Sequence, residues 1–321
     1  MKKYLVLDIG GSAVKYAKMD EEATILEKGS VKTPLDKVES LIEVIGSLYD
    51  QYQDEVEGIA ISMPGVLDVE RGYAYSGGFL RYNTDVEIVK LIQERCPVKV
   101  TIENDGKCAA LAEVWRGSLQ DVNDAIVIVL GTGIGGGVVI NRKVHKGSSS
   151  FAGEFSSMRL NNQKLDDGEY TWGFSGGARQ LSSKVAEVKQ LNPDEVDGYF
   201  IFEKANEGDE EVLAILDEFT KQIAAQIVNL QCVIDPQRVA IGGGISAQPL
   251  LLEYIRKNVD SFSDNFGNYK PGVQVVPCTF RNDSNLIGAL YHYLTYSLRE
   301  VFSDFLFLFD EFKRRFKVRV I

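Results

Sequence analysis

The feature that most constrains this chain is a glycine-rich segment set between two apolar runs. Residues 125–129, Ala-Ile-Val-Ile-Val, are typical of a buried strand, and residues 138–140, Val-Val-Ile, resume the strand pattern. Five glycines and one hydroxyl stand between the runs, at Gly131, Thr132, Gly133, Gly135, Gly136 and Gly137. The pattern predicts a strand, a tight glycine turn and a second strand.

This turn is a candidate phosphate site. Glycines permit positive φ angles and let a bulky group approach bare backbone N–H groups. Successive N–H groups there form a concave anion site, and Thr132 can add a hydroxyl donor to a phosphate oxygen. A strand rather than a helix follows, so neither the P-loop nor the dinucleotide-binding pattern fits. A hairpin without a ligand is the alternative for this segment alone.

Length and charge limit the classes of function. At 321 residues the chain has room for two domains with separate cores. A net charge of −11 argues against nucleic acid or an anionic membrane as a partner. No signal segment is recognisable, and no apolar run approaches the ~18 residues that a membrane span needs. The four cysteines form no C-x-x-C pair, which predicts reduced thiols in a cytoplasmic protein.

A second glycine turn lies near the N terminus. An apolar strand at residues 4–7 leads to Asp8 and a turn at residues 10–12, and residues 13–19 alternate like a strand. Two hairpins of one kind suggest two related halves. A carboxylate beside a glycine turn can hold Mg²⁺, usually through water, although an Asp that caps a turn is the alternative. The turn consists of Gly10, Gly11 and Ser12.

Two polar residues follow a predicted strand at residues 98–102. Asn104 and Asp105 precede a helical segment at residues 107–115. Polar residues at the carboxyl end of a strand in an α/β sheet face the crevice where ligands bind. Both are therefore candidates for substrate contact, and the alternative is that Asp105 is the N-cap of the helix.

A third glycine turn and one glutamate complete the candidate residues. A strand that begins at residue 238 ends in three glycines, against whose backbone a flat adenine-ribose unit could pack. The alternative is a tight strand-to-helix turn. Glu154, in the loop after the central hairpin, could present its carboxylate to sugar hydroxyls or be a solvated surface residue. The three glycines are Gly242, Gly243 and Gly244.

The remaining pattern predicts an alternation of helices and strands. A loop is expected at residues 72–82, and the aromatic and basic tail at residues 299–321 has no functional interpretation. Helical spacing is found at residues 36–53, 85–94, 178–190, 211–233 and 286–298, and further strands are expected at 58–62 and 273–277.

Together these motifs resemble the ROK family (repressors, open reading frames, kinases) of the actin-like ATPase superfamily. The resemblance implies an α/β fold of two ribonuclease H-like domains facing an interdomain cleft, and a homodimer. The domains would be residues 1–118 with about 283–298, and residues 119–282, followed by the tail. The matching segments are residues 7–12, 103–113, 130–137, 152–154 and 241–244.

The resemblance also implies a chemistry, in which ATP and Mg²⁺ bind opposite a sugar. The family's general base falls on Asp105, which would take a proton from a sugar hydroxyl, typically O6 of a hexose. Asn104 and Glu154 would orient the sugar, and Asp8 would hold Mg²⁺ through water. The nucleotide would contact Gly10, Gly11, Ser12, Gly131, Thr132, Gly133, Gly135, Gly242, Gly243 and Gly244.

The sequence departs from many family members in two places. Residues 154–157 are Glu-Phe-Ser-Ser instead of Glu-x-Gly-His, and residues 170–177 replace the cysteines of a zinc motif, so structural zinc is not expected. Gly77 and Gly78 look more like the zinc-free β-glucoside kinases, which makes Gly78 a candidate sugar contact. Small residues beside C1 predict that the site accepts an aglycone, and Glu169 could replace the family's last sugar-binding Glu.

Three functions are compatible with the resemblance. The first is an ATP-dependent hexose or β-glucoside kinase. The second is a sugar-responsive transcriptional repressor, against which stand the acidic charge and the start of the phosphate motif at Leu7, with no room for a helix-turn-helix before it. The third is a non-catalytic sugar sensor, against which stands the retained Asp105.

Overall fold

The chain divides into two compact units in the computed structural model, which describes residues 1–160, 166–263 and 272–297. One unit is Met1–Glu103 with the chain from Ala289 onward, and the other is Asn104–Gly288. The helix that follows Asn104 thus groups with the second unit, whereas the sequence assigns residues up to 118 to the first domain. The domain limits stay a prediction, and the predicted tail at residues 299–321 lies outside the described residues.

The first unit is built on a five-stranded sheet. Its elements are β1 (Lys3–Ile9), β2 (Ala13–Asp20), β3 (Ile25–Lys32), α1 (Val38–Asp50), β4 (Gly58–Met63), β5 (Val66–Asp68), β6 (Tyr73–Ser76), α2 (Ile88–Arg95) and β7 (Lys99–Asn104). The strand order is β3-β2-β1-β4-β7, in which β1 is antiparallel to β2 and parallel to β4. Every residue of β4 is buried, which explains its unbroken apolar pattern.

The second unit repeats this arrangement. Its elements are α3 (Asp105–Arg116), β8 (Ala125–Leu130), β9 (Ile134–Ile140), β10 (Lys143–His145), α4 (Trp172–Ser175), α5 (Ala178–Lys189), α6 (Gly198–Asn206), α7 (Glu210–Ile234), β11 (Arg238–Gly242), α8 (Pro249–Ser263) and β12 (Gln274–Pro277). The order β10-β9-β8-β11-β12 has an antiparallel hairpin and parallel neighbours in the same places. The prediction of an α/β fold with two related halves is confirmed.

Helices cover the sheet of the second unit, and the longest of them ends where the sequence predicts. The 25-residue helix α7 packs against α5, α6 and α8. Its N-cap is Asp209, whose carboxylate accepts the Val212 N–H at 3.2 Å, and it ends at Asp235 in the left-handed conformation, just before Pro236. A last helical stretch spans residues 284–297. Within the described ranges, no helix combines the length and apolar character needed to cross a membrane.

The sequence pattern misses several elements that bury few residues. Strand β3 is an edge strand whose residues are mostly exposed, so apolar alternation is weak, and its Gly29 is covered by the Tyr16 ring. The predicted loop at residues 72–82 is wrong where β6 pairs with β5. Helix α6 buries only Ile201, Phe202 and Ala205 and follows an acidic stretch that is typical of a loop.

Candidate active site

The second glycine turn, between β8 and β9, is fixed by the start of α5. The Gly131 N–H donates to the Gly133 carbonyl at 3.0 Å, and the Ala178 N–H donates to the Gly131 carbonyl at 2.8 Å. A Cβ on Gly177 would lie 2.2 Å from the Thr132 carbonyl oxygen, so this approach requires glycine. Thr132 itself is exposed. The turn is therefore held in one shape while its hydroxyl residue lies at the surface.

At the corner between β7 and α3, one residue caps the helix and the next carries a carboxylate. Asn104 is the N-cap of α3, because its Oδ1 accepts the Lys107 N–H at 3.1 Å. Asp105 is the first helical residue, is half-buried, and accepts its neighbour's N–H, that of Gly106, at 2.8 Å. The alternative in which Asp105 caps the helix is wrong. The capping bond is made by Asn104 and does not involve the Asp105 carboxylate.

Two glycines bring this corner against the second glycine turn. A Cβ on Gly106 would lie 2.4 Å from the backbone nitrogen of Gly136, so the first turn of α3 rests directly on β9. A Cβ on Gly135 would be 3.9 Å from the Gly106 Cα. The structure thus places Asp105 beside the hairpin that carries Gly131, Thr132, Gly133 and Gly135, all within the second unit.

Glu154 is joined to the same corner by an ion pair. The Nζ of Lys107 lies 2.8 Å from Glu154 Oε1, and the two side chains are 2% and 21% exposed. The loop that carries Glu154 packs on β9, because Gly153 has φ +87° and a Cβ there would be 3.1 Å from the Gly137 Cα. The alternative of a solvated glutamate is therefore wrong, since this carboxylate is bound to a buried ammonium group.

The third glycine turn meets the end of β8. Gly243 has φ +94°, and a Cβ there would lie 2.1 Å from the Leu130 carbonyl oxygen. Since Leu130 directly precedes Gly131, the second and third turns are neighbours. A Cβ on Gly242 would be 3.1 Å from the Cys278 sulfur, whereas Gly244 is exposed and has no heavy atom within 4 Å of that position.

Asp8 lies in the first unit, at the end of β1. It is 6% exposed. Its Oδ1 accepts the Ser62 hydroxyl at 3.1 Å, and its Oδ2 is 3.7 Å from the Lys15 ammonium group, which faces it across the β1–β2 ladder. An anchored carboxylate with a hydroxyl neighbour offers hard oxygen atoms of the kind that Mg²⁺ prefers. These residues fit the predicted Mg²⁺ site.

The first glycine turn is braced by a residue at the end of β3. The Thr33 hydroxyl donates to the Gly10 carbonyl at 2.7 Å, and the Thr33 N–H donates to the Ser12 carbonyl at 3.2 Å. Gly11 and Ser12 are exposed. The turn therefore presents two residues to solvent on a fixed support, as a phosphate site requires.

Gly78 lies in the first unit and has a backbone reason to be glycine. Its φ is +60°, and a Cβ there would be 3.2 Å from the Pro64 side chain. A Cβ on Gly77 would meet the Leu80 carbonyl oxygen at 2.1 Å. Gly78 is exposed, so its role as a sugar contact stays a prediction. The two glycines are explained by local packing and do not by themselves indicate room for an aglycone.

An open cavity of about 560 Å³ lies next to the Glu154 loop. It carries an exposed aromatic ring, that of Phe174, and the carboxylate of Glu169, the candidate for the last sugar-binding glutamate. The residues that line it are Ser156, Asp167, Gly168, Glu169, Thr171, Gly173 and Phe174.

Apolar packing holds the segment at residues 170–177, for which the sequence predicts no zinc site. Trp172 is fully buried, and its ring centroid lies 6.2 Å from that of Phe155. Among the described residues there is no cluster of three or more His, Cys, Asp or Glu side chains that could hold a metal ion. The absence of structural zinc stays a prediction.

Sequence reasoning missed Lys107, Lys15, Thr33 and the structural role of Glu113. Glu113 is fully buried: its Oε1 accepts the Thr279 N–H at 2.8 Å, and its Oε2 accepts the Ser118 N–H at 2.7 Å. It thereby joins the end of α3 to the segment after β12. Charged side chains in an otherwise Ala-rich buried helix, within the matching segment 103–113, are the signals that could have identified these two residues of α3.

Comparisons with known proteins identify the family. The ROK family model matches residues 4–295. A β-glucoside kinase from Listeria monocytogenes is 30% identical over 294 residues, covering 91% of this chain and 97% of that protein. A ROK family protein from Streptococcus pneumoniae in complex with sucrose has a TM-score of 0.81 at 28% identity, covering 92% and 99% of the two chains. A ROK family glucokinase from Streptomyces griseus in complex with glucose and AMPPNP has a TM-score of 0.78 at 26% identity, covering 90% and 98%. The chain belongs to the ROK family.

Proposed function

We propose that this protein is an ATP-dependent carbohydrate kinase, which transfers the γ-phosphoryl group of ATP to a hydroxyl group of a hexose or a β-glucoside, with O6 as the expected acceptor. The observation that carries the proposal is the assembly at the start of α3, where Asp105, the second glycine turn and the bound carboxylate of Glu154 lie together. Relatives named as β-glucoside kinase and glucokinase support it.

Asp105 acts as the general base. Its carboxylate takes the proton from the sugar hydroxyl as that oxygen attacks the γ-phosphorus, and the bond from the γ-phosphorus to the bridging oxygen breaks to release ADP. Phosphoryl transfer depends mostly on positioning and charge neutralisation, so general-base assistance adds about 10²–10⁴-fold to catalysis that the glycine turns already provide. The bond from the Gly106 N–H holds the carboxylate in place.

The nucleotide is held by backbone turns. In the second unit, the residues of the turn at 131–135 bind phosphate, and the turn at 242–244 packs against adenosine. In the first unit, the turn at 10–12 binds phosphate, and Asp8 holds Mg²⁺ through water. When bound, Mg²⁺ neutralises charge on the phosphate oxygens. The contacts of Asp8 with Ser62 and Lys15 fix its carboxylate before Mg²⁺ binds.

Asn104, Glu154 and Gly78 contact the sugar. We assign the aglycone of a β-glucoside to the open cavity of about 560 Å³ that Ser156 helps to line, because Phe174 is 59% exposed there and can cover the apolar face of a second ring. Glu169 supplies an acceptor for its hydroxyl groups. The similar structure that contains sucrose, a disaccharide, supports an acceptor of this size.

The two alternatives within the family are a sugar-responsive repressor and a non-catalytic sugar sensor. The kinase is favoured because two relatives that match nearly the whole chain at 30% and 26% identity are named β-glucoside kinase and glucokinase, whereas a ROK family transcriptional regulator with a similar fold is 19% identical. A net charge of −11 also opposes retention on DNA. A homodimer in the cytoplasm completes the proposal, and both features rest on the family resemblance and on the free cysteines.

A coupled ADP-release assay tests the proposal. Purified protein with ATP and Mg²⁺ is screened against glucose, N-acetylmannosamine, fructose and cellobiose, and ³¹P and ¹³C NMR of the product locates the new phosphate ester. We expect turnover with cellobiose and an ester at O6. An Asp105→Asn preparation made in parallel shows whether a contaminating kinase produces the ADP. Absence of turnover with all four sugars would contradict the proposal.

A further inference from the structure

The buried ion pair between Lys107 and Glu154 carries an inference about how the sugar is recognised. We infer that Lys107 is a positioning residue, whose ammonium group holds the Glu154 carboxylate in the orientation that receives sugar hydroxyls. This inference rests on the proposed kinase function and deepens it, because it concerns the recognition of the acceptor rather than of the nucleotide.

Lys107 contacts both of the neighbouring sugar-contact candidates. Its backbone N–H donates to Asn104 Oδ1 at 3.1 Å, and its Nζ donates to Glu154 Oε1 at 2.8 Å. Asn104 is continuous in sequence with Asp105, so one lysine connects the proposed base and the proposed sugar ligand. A shift of Lys107 would move Glu154 relative to the corner that carries Asp105.

Lys107 is more deeply buried than Glu154, as expected if the lysine holds the carboxylate and the carboxylate meets the sugar. The lysine side chain is 2% exposed and the glutamate side chain is 21% exposed. A charge as deeply buried as that of Lys107 is tolerated only when it is paired, and here the partner is Glu154. A carboxylate offers about four acceptor sites, so a single ammonium donor leaves capacity for hydroxyl groups.

Backbone contacts hold both ends of the pair. The two partners lie on α3 and on the loop at residues 152–154, and both segments approach β9 at Gly137. A Cβ on Gly137 would lie 3.7 Å from the Lys107 Cα, and a Cβ on Gly153 would lie 3.1 Å from the Gly137 Cα. Because both backbone segments are fixed on the same strand, the ion pair holds the Glu154 carboxylate in one position. The Glu154 carboxylate is thus pre-organised before sugar binds.

Replacement of the ammonium group tests the inference. Lys107→Met keeps the apolar stem and removes the donor. We expect kcat/KM for the sugar to fall by about 10- to 100-fold, the size of loss found when a residue that orients a metal ligand is removed. Most of the loss should appear in the sugar KM, because Glu154 contacts the acceptor, whereas the KM for ATP should stay within about twofold of the parent value.

Three further variants make the result specific. Glu154→Gln should reproduce the loss, and the double variant Lys107→Met/Glu154→Gln should be no worse than Glu154→Gln alone, because both changes remove one interaction. Lys184→Met is the matched control, since Lys184 makes an ion pair of the same 2.8 Å length with Glu218 on the surface. It should leave both KM values unchanged.

The double variant and sugar binding by calorimetry keep the inference testable if Lys107→Met does not fold, because the double variant leaves no unpaired buried charge. A sugar affinity equal to that of the parent, in either variant, would overturn the inference. An equal loss for ATP and sugar, accompanied by a lower melting temperature, would assign Lys107 a merely structural role and would also overturn it. A parent that binds sugar but releases no ADP would refute the kinase proposal alone, and the binding arm would still decide the role of Lys107.

Discussion

At the residue scale, Asn104 and Asp105 divide two tasks that either side chain could perform. Asn104 caps α3 with its Oδ1, and Asp105 occupies the first helical position with its carboxylate beside the second glycine turn. An anion at the first turn of a helix is favoured by the helix dipole, so the charged form of Asp105 costs less here than in an apolar cavity. The N terminus of α3 is therefore capped without the Asp105 carboxylate.

The variant Asp105→Asn tests whether Asp105 is needed for catalysis but not for folding. We expect kcat to fall by about 10²–10⁴-fold, because an amide cannot accept the hydroxyl proton. The melting temperature should not change, since the amide oxygen can still accept the Gly106 N–H and Asn104 still caps the helix. Steady-state kinetics and thermal unfolding check the two expectations.

The matched control for this variant is Asp194→Asn, which changes an exposed aspartate of the same unit. It should leave kcat and the melting temperature as they are in the parent. A kcat for Asp105→Asn close to that of the parent would remove Asp105 from the mechanism and would revive the sensor alternative.

At the element scale, glycines determine which strands and helices approach one another. Gly106 brings α3 onto β9, and Gly243 brings the end of β11 onto the end of β8. Both contacts are backbone to backbone and leave no space for a Cβ. The corner with Asp105 and the third turn are therefore positioned against the second turn by the absence of side chains.

Three alanine substitutions distinguish backbone strain, steric clash and ligand contact. Gly208→Ala introduces a side chain at φ +86° with no heavy atom within 4 Å, so it should cost about 1–3 kcal/mol of unfolding free energy from strain alone. Gly243→Ala, at φ +94° and 2.1 Å from a carbonyl oxygen, should cost about 1–3 kcal/mol more. Denaturant unfolding measures both losses.

Gly244→Ala is the third member of this series and reports on the nucleotide. Its Cβ would meet nothing within 4 Å, so unfolding free energy should stay within about 0.5 kcal/mol of the parent value. If adenosine packs on this turn, the added methyl group should raise the KM for ATP by about 10-fold, since overpacking a close contact costs about 1–3 kcal/mol. An unchanged KM for ATP would show that adenosine binds elsewhere.

The elements that could be predicted from the sequence are those with a clear pattern of apolar residues. Contacts between segments that are distant in sequence could not be predicted. Strands β4 and β8 are continuous apolar runs, and α7 has an uninterrupted helical repeat, so all three were recognisable. Strand β3 was not, because an exposed edge strand has little need of apolar residues.

The candidate site shows the same limit. Asp105 and the glycine turns were recognisable by residue type and order. The ion pair between Lys107 and Glu154 joins residues 47 positions apart, and neither residue type indicates the other. The braces from Thr33 and Lys15 likewise depend on strand register, which the sequence pattern leaves open.

At the scale of the whole molecule, ligand binding should stabilise the chain whether or not it turns substrate over. A ligand present at about 100 times its Kd stabilises the folded state by about 2.7 kcal/mol. We therefore expect AMPPNP with Mg²⁺, and separately cellobiose, to raise the melting temperature of both the parent and Asp105→Asn. Thermal-shift measurements with each ligand alone provide the check.

The pattern of shifts discriminates between the functional classes. Stabilisation by the sugar but not by AMPPNP would favour a sensor over a kinase. Retention on DNA at physiological salt would favour a repressor, against the expectation from the net charge of −11. Mannitol, an open-chain polyol, serves as the control for non-specific stabilisation by solute.

The repeated strand order of the two sheets creates equivalent backbone positions that carry different side chains. Asp8 faces Ser62 on the parallel ladder of the first sheet, and Val129 faces Gly242 at the corresponding rung of the second. Equivalent backbone positions thus carry an acid and an alcohol in one sheet and two apolar residues in the other. The shared strand order sets the backbone at this rung, and the residue types alone decide whether it offers oxygen atoms to a cation.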